Sequence, residues 1–338
     1  SRILLAINKY QTMNKILKRV ILFLVVNICL FFLTAFVLIN WPIPKKESTK
    51  NYDYSSIDTL SVKSFKKQEH WISMRDGNEL YSQIYPSESK TVLILIHGSG
   101  SESRYLEPLA GTISNDNFAT VITPDLRGHG RNLKDQPDIN YIGQLEEDIE
   151  DIINYAKESL KAKKIVLAGH SSGGGLVLRY IANANLTRVD KAIMIAPYLG
   201  HDAPTVKPKS GGWVTVGIKR WVGLSMLNTI GVENYNKKPV LFFNRPKAYE
   251  DSLQNKSYSY RMAINFAPKN YKEDIDHLQT NSLVLVGSED ESFYPNKFKE
   301  VFSPASKFID IQILQGVNHL NIVKDNEVLE KIEKYLSN

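Results

Sequence analysis

The chain has 338 residues, 43% hydrophobic and 23% charged, with 19 Gly, 14 Pro and one Cys. That balance excludes a disordered polymer, and one cysteine excludes an intrachain disulfide framework or a Cys-rich metal centre. A net charge of +6 without a basic motif does not point to nucleic acid, and a mean hydropathy of −0.25 argues against several membrane spans.

One span is nevertheless visible. From Val20 to Pro44 no residue is charged, and Trp41 closes the run. About 20 apolar residues suffice to cross a hydrocarbon core, and a terminal Trp suits the headgroup layer. A cleaved signal would have a shorter apolar core and a small-x-small site. Val37–Trp41 offers no such site, and Ile28 before Cys29 argues against lipoprotein processing. A helix apolar on every side at the extreme N-terminus also has no core to enter. The expected organisation is therefore a tail over 1–19, an uncleaved anchor over 20–43 and a polar linker over 44–65. Lys15, Lys18 and Arg19 precede the span, while Lys45, Lys46 and Lys50 follow it. Positive-inside bias then places the N-terminus in the cytoplasm and the remainder outside it. The basic-then-apolar pattern starts after Met13, so Met13 reads as the natural start and 1–12 as upstream read-through.

Residues 66–338 read as one domain with an insertion. His70–Arg75 and Glu79–Tyr85 flank Asp76-Gly77-Asn78, a hairpin signal. Thr91–Ile96 is a continuous apolar run ending in His-Gly. Similar runs recur at Ala119–Thr123, Lys164–Ala168, Lys191–Ile195, Ser282–Val286 and Phe308–Leu314. Helix-period stretches lie between most of them: Tyr141–Leu160, Leu176–Ala184 and Ile322–Leu336. Buried strands alternating with amphipathic helices predict an α/β fold, a mostly parallel sheet covered on both faces. Ligands of such sheets sit beyond the carboxyl ends of the strands.

The decisive segment is Ile165-Val166-Leu167-Ala168-Gly169-His170-Ser171-Ser172-Gly173-Gly174-Gly175. A buried strand runs into Gly-x-Ser-x-Gly and a helix follows. Glycines at 169 and 173 make room for a sharp strand-to-helix turn that exposes the Ser171 hydroxyl. The Ser172 amide and the helix N-terminus can then stabilise an oxyanion. A serine nucleophile needs a base, and the base needs an orienting carboxylate. Gly287-Ser288-Glu289-Asp290-Glu291, at a strand end, holds candidate acids, with Glu289 and Glu291 as competitors that would simply be solvated. His319 is the only histidine beyond both that loop and the turn. His97, His129 and His170 read as structural, and His70, His201 and His277 fit the base position poorly. No cluster has metal-ligand spacing, Gly98-Ser99-Gly100 lacks the Gly-Lys-Ser/Thr of a phosphate loop, and no cofactor is expected.

Five ordered motifs give the stretch from about 66 to 338 its resemblance. They are His97-Gly98-Ser99-Gly100, the run Pro124–Gly130, the turn at Ser171, Gly287-x-x-Asp290 and Asn318-His319. It resembles an α/β-hydrolase, and HGSGSESRYLEPLA is similar to the oxyanion loop of the monoacylglycerol lipase, lysophospholipase and serine-aminopeptidase-like branch. The resemblance implies Asp290 as the acid, the Ser99 amide as a second oxyanion donor beside Ser172, and Asp125 as loop-shaping. Arg131-Asn132 departs from that branch, which has a Ser nearby.

Residues 198–276 exceed what one helix requires and read as a cap inserted over the site. Twelve Lys/Arg face seven Asp/Glu from Leu199 to Asp276, so most of the net charge lies there. Most of its aromatics would form the cap's own core, with Trp213 and Trp221 the candidates for substrate contact. Gly211–Leu227, apolar except for Lys219 and Arg220, suits an interfacial helix or a pocket roof. The expectation is a membrane-anchored serine hydrolase of carboxylic esters, acting on a small-molecule or lipid ester of acyl-glycerol or lysophospholipid type. Two alternatives stay open: an amidase or peptidase with the same triad, and a catalytically silent binding protein on a hydrolase scaffold.

Overall fold

A computed structural model describes residues 2–45, Tyr52, 65–133 and 137–337. Its strands are β1 (Gln68–Ser73), β2 (Glu79–Tyr85), β3 (Thr91–Ile96), β4 (Thr120–Pro124), β5 (Lys164–His170), β6 (Lys191–Ile195), β7 (Val214–Val216), β8 (Pro239–Phe243), β9 (Ser257–Ser259), β10 (Ser282–Gly287) and β11 (Ile309–Leu314). Eight form one sheet in the order β1-β2-β4-β3-β5-β6-β10-β11. β2 runs antiparallel to β1 and β4, and the other neighbours are parallel. Successive residues of β3, β5 and β10 are all buried after their first positions, so both faces of the sheet are covered. This is why those strands read as unbroken β-branched and aliphatic runs instead of alternating ones.

The expected strands all form, with ends shifted by one or two residues. The helix boundaries moved more. The helix expected from Leu176 begins at Ser172 and ends at Ile181. Its first turn is glycine and serine, which carry no apolar period. Gly169 and Gly173 are glycine for steric reasons: a Cβ at 169 would lie 2.3 Å from the Gly173 carbonyl, and one at 173 would lie 2.5 Å from the His97 and Ile96 carbonyl oxygens. The helix expected over Tyr141–Leu160 spans Gln144–Glu158, preceded by Gly143 in the left-handed region. The last one begins at Asn326, after a separate 3-10 turn at Asn321–Val323.

The insertion is a small subdomain built on the antiparallel sheet β7-β8-β9. Gly211–Leu227 is therefore not one helix. Its β-branched Val214-Thr215-Val216 joins β8, and the helix starts at Ile218 and runs to Asn228. At the N-terminus Arg2–Ile39 is one helix, and Thr12–Ile39 is long and apolar enough to cross a membrane. Its last turns do find a surface: Ala35 and Ile39 are buried, with Gly223 of the cap helix beside them. A glycine opposite an alanine lets two helix backbones approach closely. Most of the linker expected over 44–65 falls outside the described residues, but Tyr52 is buried against the globule.

Arg127 is the largest side chain fully enclosed in the fold. Its guanidinium forks onto Asp148 at 2.7 and 3.0 Å and reaches Asp76 of the hairpin turn at 2.9 Å. A buried cation persists because each charge is paired and hydrogen-bonded. Replacing Arg127 by Met leaves the Asp148 carboxylate buried and alone. Denaturant unfolding should show a loss of about 3–5 kcal/mol, whereas a loss under about 1 kcal/mol, the range of exposed ion pairs, would mean the pair contributes little.

Candidate active site

β5 delivers Ser171 in a conformation that non-glycine residues avoid, with φ 55° and ψ −119°. Such a backbone costs about 1–3 kcal/mol and persists only where its surroundings impose it. Here they do. The Ser171 amide donates to the Ile195 carbonyl at the end of β6, and its carbonyl accepts from Gly175 and Tyr198. The turn is thus held by the next strand, by its own helix and by the start of the cap.

His319 follows β11 and lies over that turn. Its Nε2 is 3.1 Å from the Ser171 hydroxyl oxygen, and its Nδ1 is 2.7 Å from Asp290 Oδ2. Asp290 is fully buried after β10, and its other oxygen accepts the amides of Ser292 and Phe293 at 2.8 and 2.9 Å. Of the competing acids, Glu289 is exposed. Glu291 is not merely solvated: its carboxylate accepts the His319 backbone amide at 2.9 Å. Burial disfavours the imidazolium of His319, but the carboxylates of Asp290 and Glu291 outweigh it and raise its pKa above the ordinary value.

The other site histidines are locked neutral. Burial, with the neighbouring His319, holds His170 well below its ordinary pKa, and burial does the same to His129. Their partners then fix the tautomers. His170 Nε2–H donates to the His319 carbonyl at 3.0 Å, so Nδ1 accepts from the Tyr105 hydroxyl at 2.9 Å. That hydroxyl in turn accepts the Gly98 amide at 2.7 Å. His129 Nδ1–H donates to the Arg127 carbonyl, so its Nε2 accepts from the Tyr258 hydroxyl, which accepts the Gly100 amide at 2.6 Å. Two tyrosines therefore clamp the loop amides on either side of Ser99. Among the described residues nothing accepts from the Ser99 amide itself, nor from that of Ser172 in the first turn of its helix. Asp125 holds the same loop from below, taking Ser103 on one oxygen and the Arg131 amide on the other.

A cavity of about 790 Å³ opens onto Ser171, Ser172, Ser99 and His319, within the range of small-molecule sites. Trp213 and Trp221 both line it, and the Trp213 indole N–H donates to the Ser99 hydroxyl at 3.3 Å. Lys45, Lys207 and Arg245 are also in its wall, and no carboxylate is among the described lining residues. Tyr52 packs beside Trp213 and His319, and its hydroxyl meets Ser292 and the Ser210 carbonyl. Sequence reasoning missed Tyr52, Tyr105 and Tyr258.

Comparison with known proteins agrees with this architecture. The sequence profile described as serine aminopeptidase, S33 matches residues 87–325. Protein phosphatase methylesterase 1 of Debaryomyces hansenii is 31% identical over 116 residues, covering 32% of this chain. The chain spans less than a third of the length of the curated relatives it matches. Among solved structures, a soluble variant of monoglyceride lipase from Saccharomyces cerevisiae superposes with a TM-score of 0.63 at 16% identity, over 82% of this chain and 97% of that one. Monoacylglycerol lipase of Paleococcus ferrophilus gives a TM-score of 0.54 at 21% identity, over 76% and 98%. At such identities these likenesses speak for the fold, while the profile covers well over half of the sequence. The chain therefore belongs to the serine aminopeptidase S33 family of α/β-hydrolases.

Proposed function

We propose that the protein is a membrane-anchored serine hydrolase that cleaves carboxylic esters of lipid type through a Ser171–His319–Asp290 triad. The observation that carries this reading is the unbroken hydrogen-bonded line of those three side chains, opening on a largely apolar cavity. Ser171 Oγ attacks the ester carbonyl while His319 Nε2 takes its proton, and Asp290 holds Nδ1–H and the imidazolium that forms. The carbonyl oxygen becomes an oxyanion, and the Ser99 and Ser172 amides receive it. Each such donor is worth roughly 3–4 kcal/mol of barrier. The tetrahedral species collapses, the alcohol leaves with the proton from His319, and water repeats the sequence on the acyl-enzyme to release the acid.

Three cations and no carboxylate in the described lining favour an acyl substrate with a polar or anionic head. They disfavour an aminopeptidase role, because a free α-ammonium group would find no acidic side chain among the described lining residues. The helix over Thr12–Ile39 supports the anchor.

A fluorophosphonate probe should label the wild type and spare Ser171→Ala, whose ester turnover should fall about 10⁴-fold or more. Labelling of both would refute the assignment, and turnover of a matched anilide faster than the ester would favour the amidase alternative.

The pH profile follows from the raised His319 pKa. Protonated His319 cannot accept the serine proton, so kcat/KM should fall on acidification through a midpoint above about 6.5. Glu291→Gln keeps an oxygen for the His319 amide but removes one carboxylate that favours the imidazolium. Its acid limb should move to lower pH, and an unmoved limb would show that Asp290 alone sets it.

Tyr258 acts as a positioning residue in this scheme. Tyr258→Phe releases the Gly100 amide and should lower kcat about 10–100-fold with KM nearly constant. A change confined to thermal stability would assign it to packing only.

A further inference from the structure

The helix read as an anchor does not end in free linker. Its last turns sit on the cap helix Ile218–Asn228, and the contact is built closely. A Cβ on Gly223 would lie 2.9 Å from the Ala35 carbonyl, from Ile39 Cγ1 and from Leu38 Cβ. Arg220 Nε donates to the Ile39 carbonyl at 2.9 Å, meeting one of the orphan acceptors at a helix C-terminus, and its Nη1 donates to the Pro239 carbonyl of β8. Lys219 places its ammonium 3.3 Å from the centre of the Trp41 ring. One element thus receives apolar contacts, a capping guanidinium and a cation–π contact from a single helix of the cap.

The depth of this contact follows from helix geometry. Val20–Ile39 carries no charge, and at about 1.5 Å per residue it covers roughly the 30 Å of a hydrocarbon core. Ala35 lies four residues, about 6 Å, from the end of that span. A helix packed on Ala35 and Ile39 lies at the edge of the bilayer and cannot stand clear of it. Its surface agrees. Ile218 (66% exposed), Val222 (45%) and the half-buried Met226 recur every fourth residue along the side next to the anchor's seat. Lys219 and Arg220 flank that stripe, as basic residues do on helices that lie in the headgroup layer. Pro44 and Lys45, just beyond the anchor, line the catalytic cavity together with Ile218 and Val222.

We propose that the end of the anchor is a structural part of the cap, and that the cap helix lies in the headgroup layer of the bilayer. The cavity then opens between them, and the substrate is a bilayer-resident acyl ester that enters sideways from the membrane. This rests on the hydrolase reading and on the anchor spanning a bilayer. It adds a defined contact, a depth and a direction of approach.

The full chain, reconstituted in phosphatidylcholine–phosphatidylglycerol vesicles, tests it in two ways. With Cys29 replaced by Ser, an environment-sensitive dye on Val222→Cys should be quenched by lipids brominated in the acyl chain. Absence of that quenching would overturn the proposal, whether water, a second copy or another protein covers the stripe instead. Ala35→Leu lies in the anchor, outside the catalytic and cavity residues, and should push the two helices apart. Its turnover of a long-chain monoacylglycerol in the vesicle should fall about tenfold, while p-nitrophenyl butyrate taken from water changes less than about twofold. Equal effects on both esters, or none on either, would overturn the proposal. Fluorophosphonate labelling of Ala35→Leu reports that the globule is folded. If wild type were neither labelled nor active, the hydrolase reading would fail, whereas the bromolipid result would still report the depth of the cap helix.

Discussion

A serine held at positive φ between a buried strand and a helix survives only if its neighbours satisfy its backbone, and the rest of the site depends on that constraint. The Ser171 amide and carbonyl are occupied by Ile195, Gly175 and Tyr198, so the turn cannot relax without breaking contacts to β6 and to the cap. Its sharpness sets the hydroxyl above the carboxyl ends of β3, β5, β10 and β11, which is where His319, Asp290 and the Ser99 loop arrive. The strain is distributed over a mostly parallel sheet that is covered on both faces and cannot easily give way.

Around that turn the chain buries several imidazoles and gives each a distinct role by its partners. His170 and His129 are kept neutral by burial, and each has one ring nitrogen on a carbonyl and the other on a tyrosine hydroxyl. They act as fixed dipoles that orient Tyr105 and Tyr258, which in turn orient the Gly98 and Gly100 amides. His319 differs because two carboxylates face it. In a low-dielectric site such arrangement in advance is worth more than the individual hydrogen bonds, since nothing needs to reorganise when charge develops.

The inserted subdomain joins this site to its surroundings. It supplies Tyr258 to the Ser99 loop from 158 residues further along the chain, and Trp213 to the same loop's hydroxyl. On its other side it carries the helix that receives the end of the N-terminal helix. Tyr258 and Trp213, which reach the Ser99 loop, and the helix that seats the N-terminal helix therefore belong to one small subdomain around β7-β8-β9. Arg220 bridges the Ile39 and Pro239 carbonyls, and Phe243 at the other end of β8 packs on Tyr258.

How much was legible in the sequence follows from the range of the forces involved. The strands were readable because burial on both faces demands continuous apolar runs, and the Ser171 turn was readable because steric crowding demands glycines within two residues of it. These are local requirements, so the residues that meet them stand together in the chain. Ser171 and His319 could also be read, because each follows a recognisable strand, while Asp290 was singled out from Glu289 and Glu291 only by the family resemblance. The sequence could not reveal that Glu291 holds the His319 amide, that Tyr105 and Tyr258 flank Ser99, or that Gly223 seats Ala35. Hydrogen bonds and close helix contacts act over a few ångströms between elements far apart in the chain. Only the register of the packed sheet and the placement of the cap decide which side chains come within that reach.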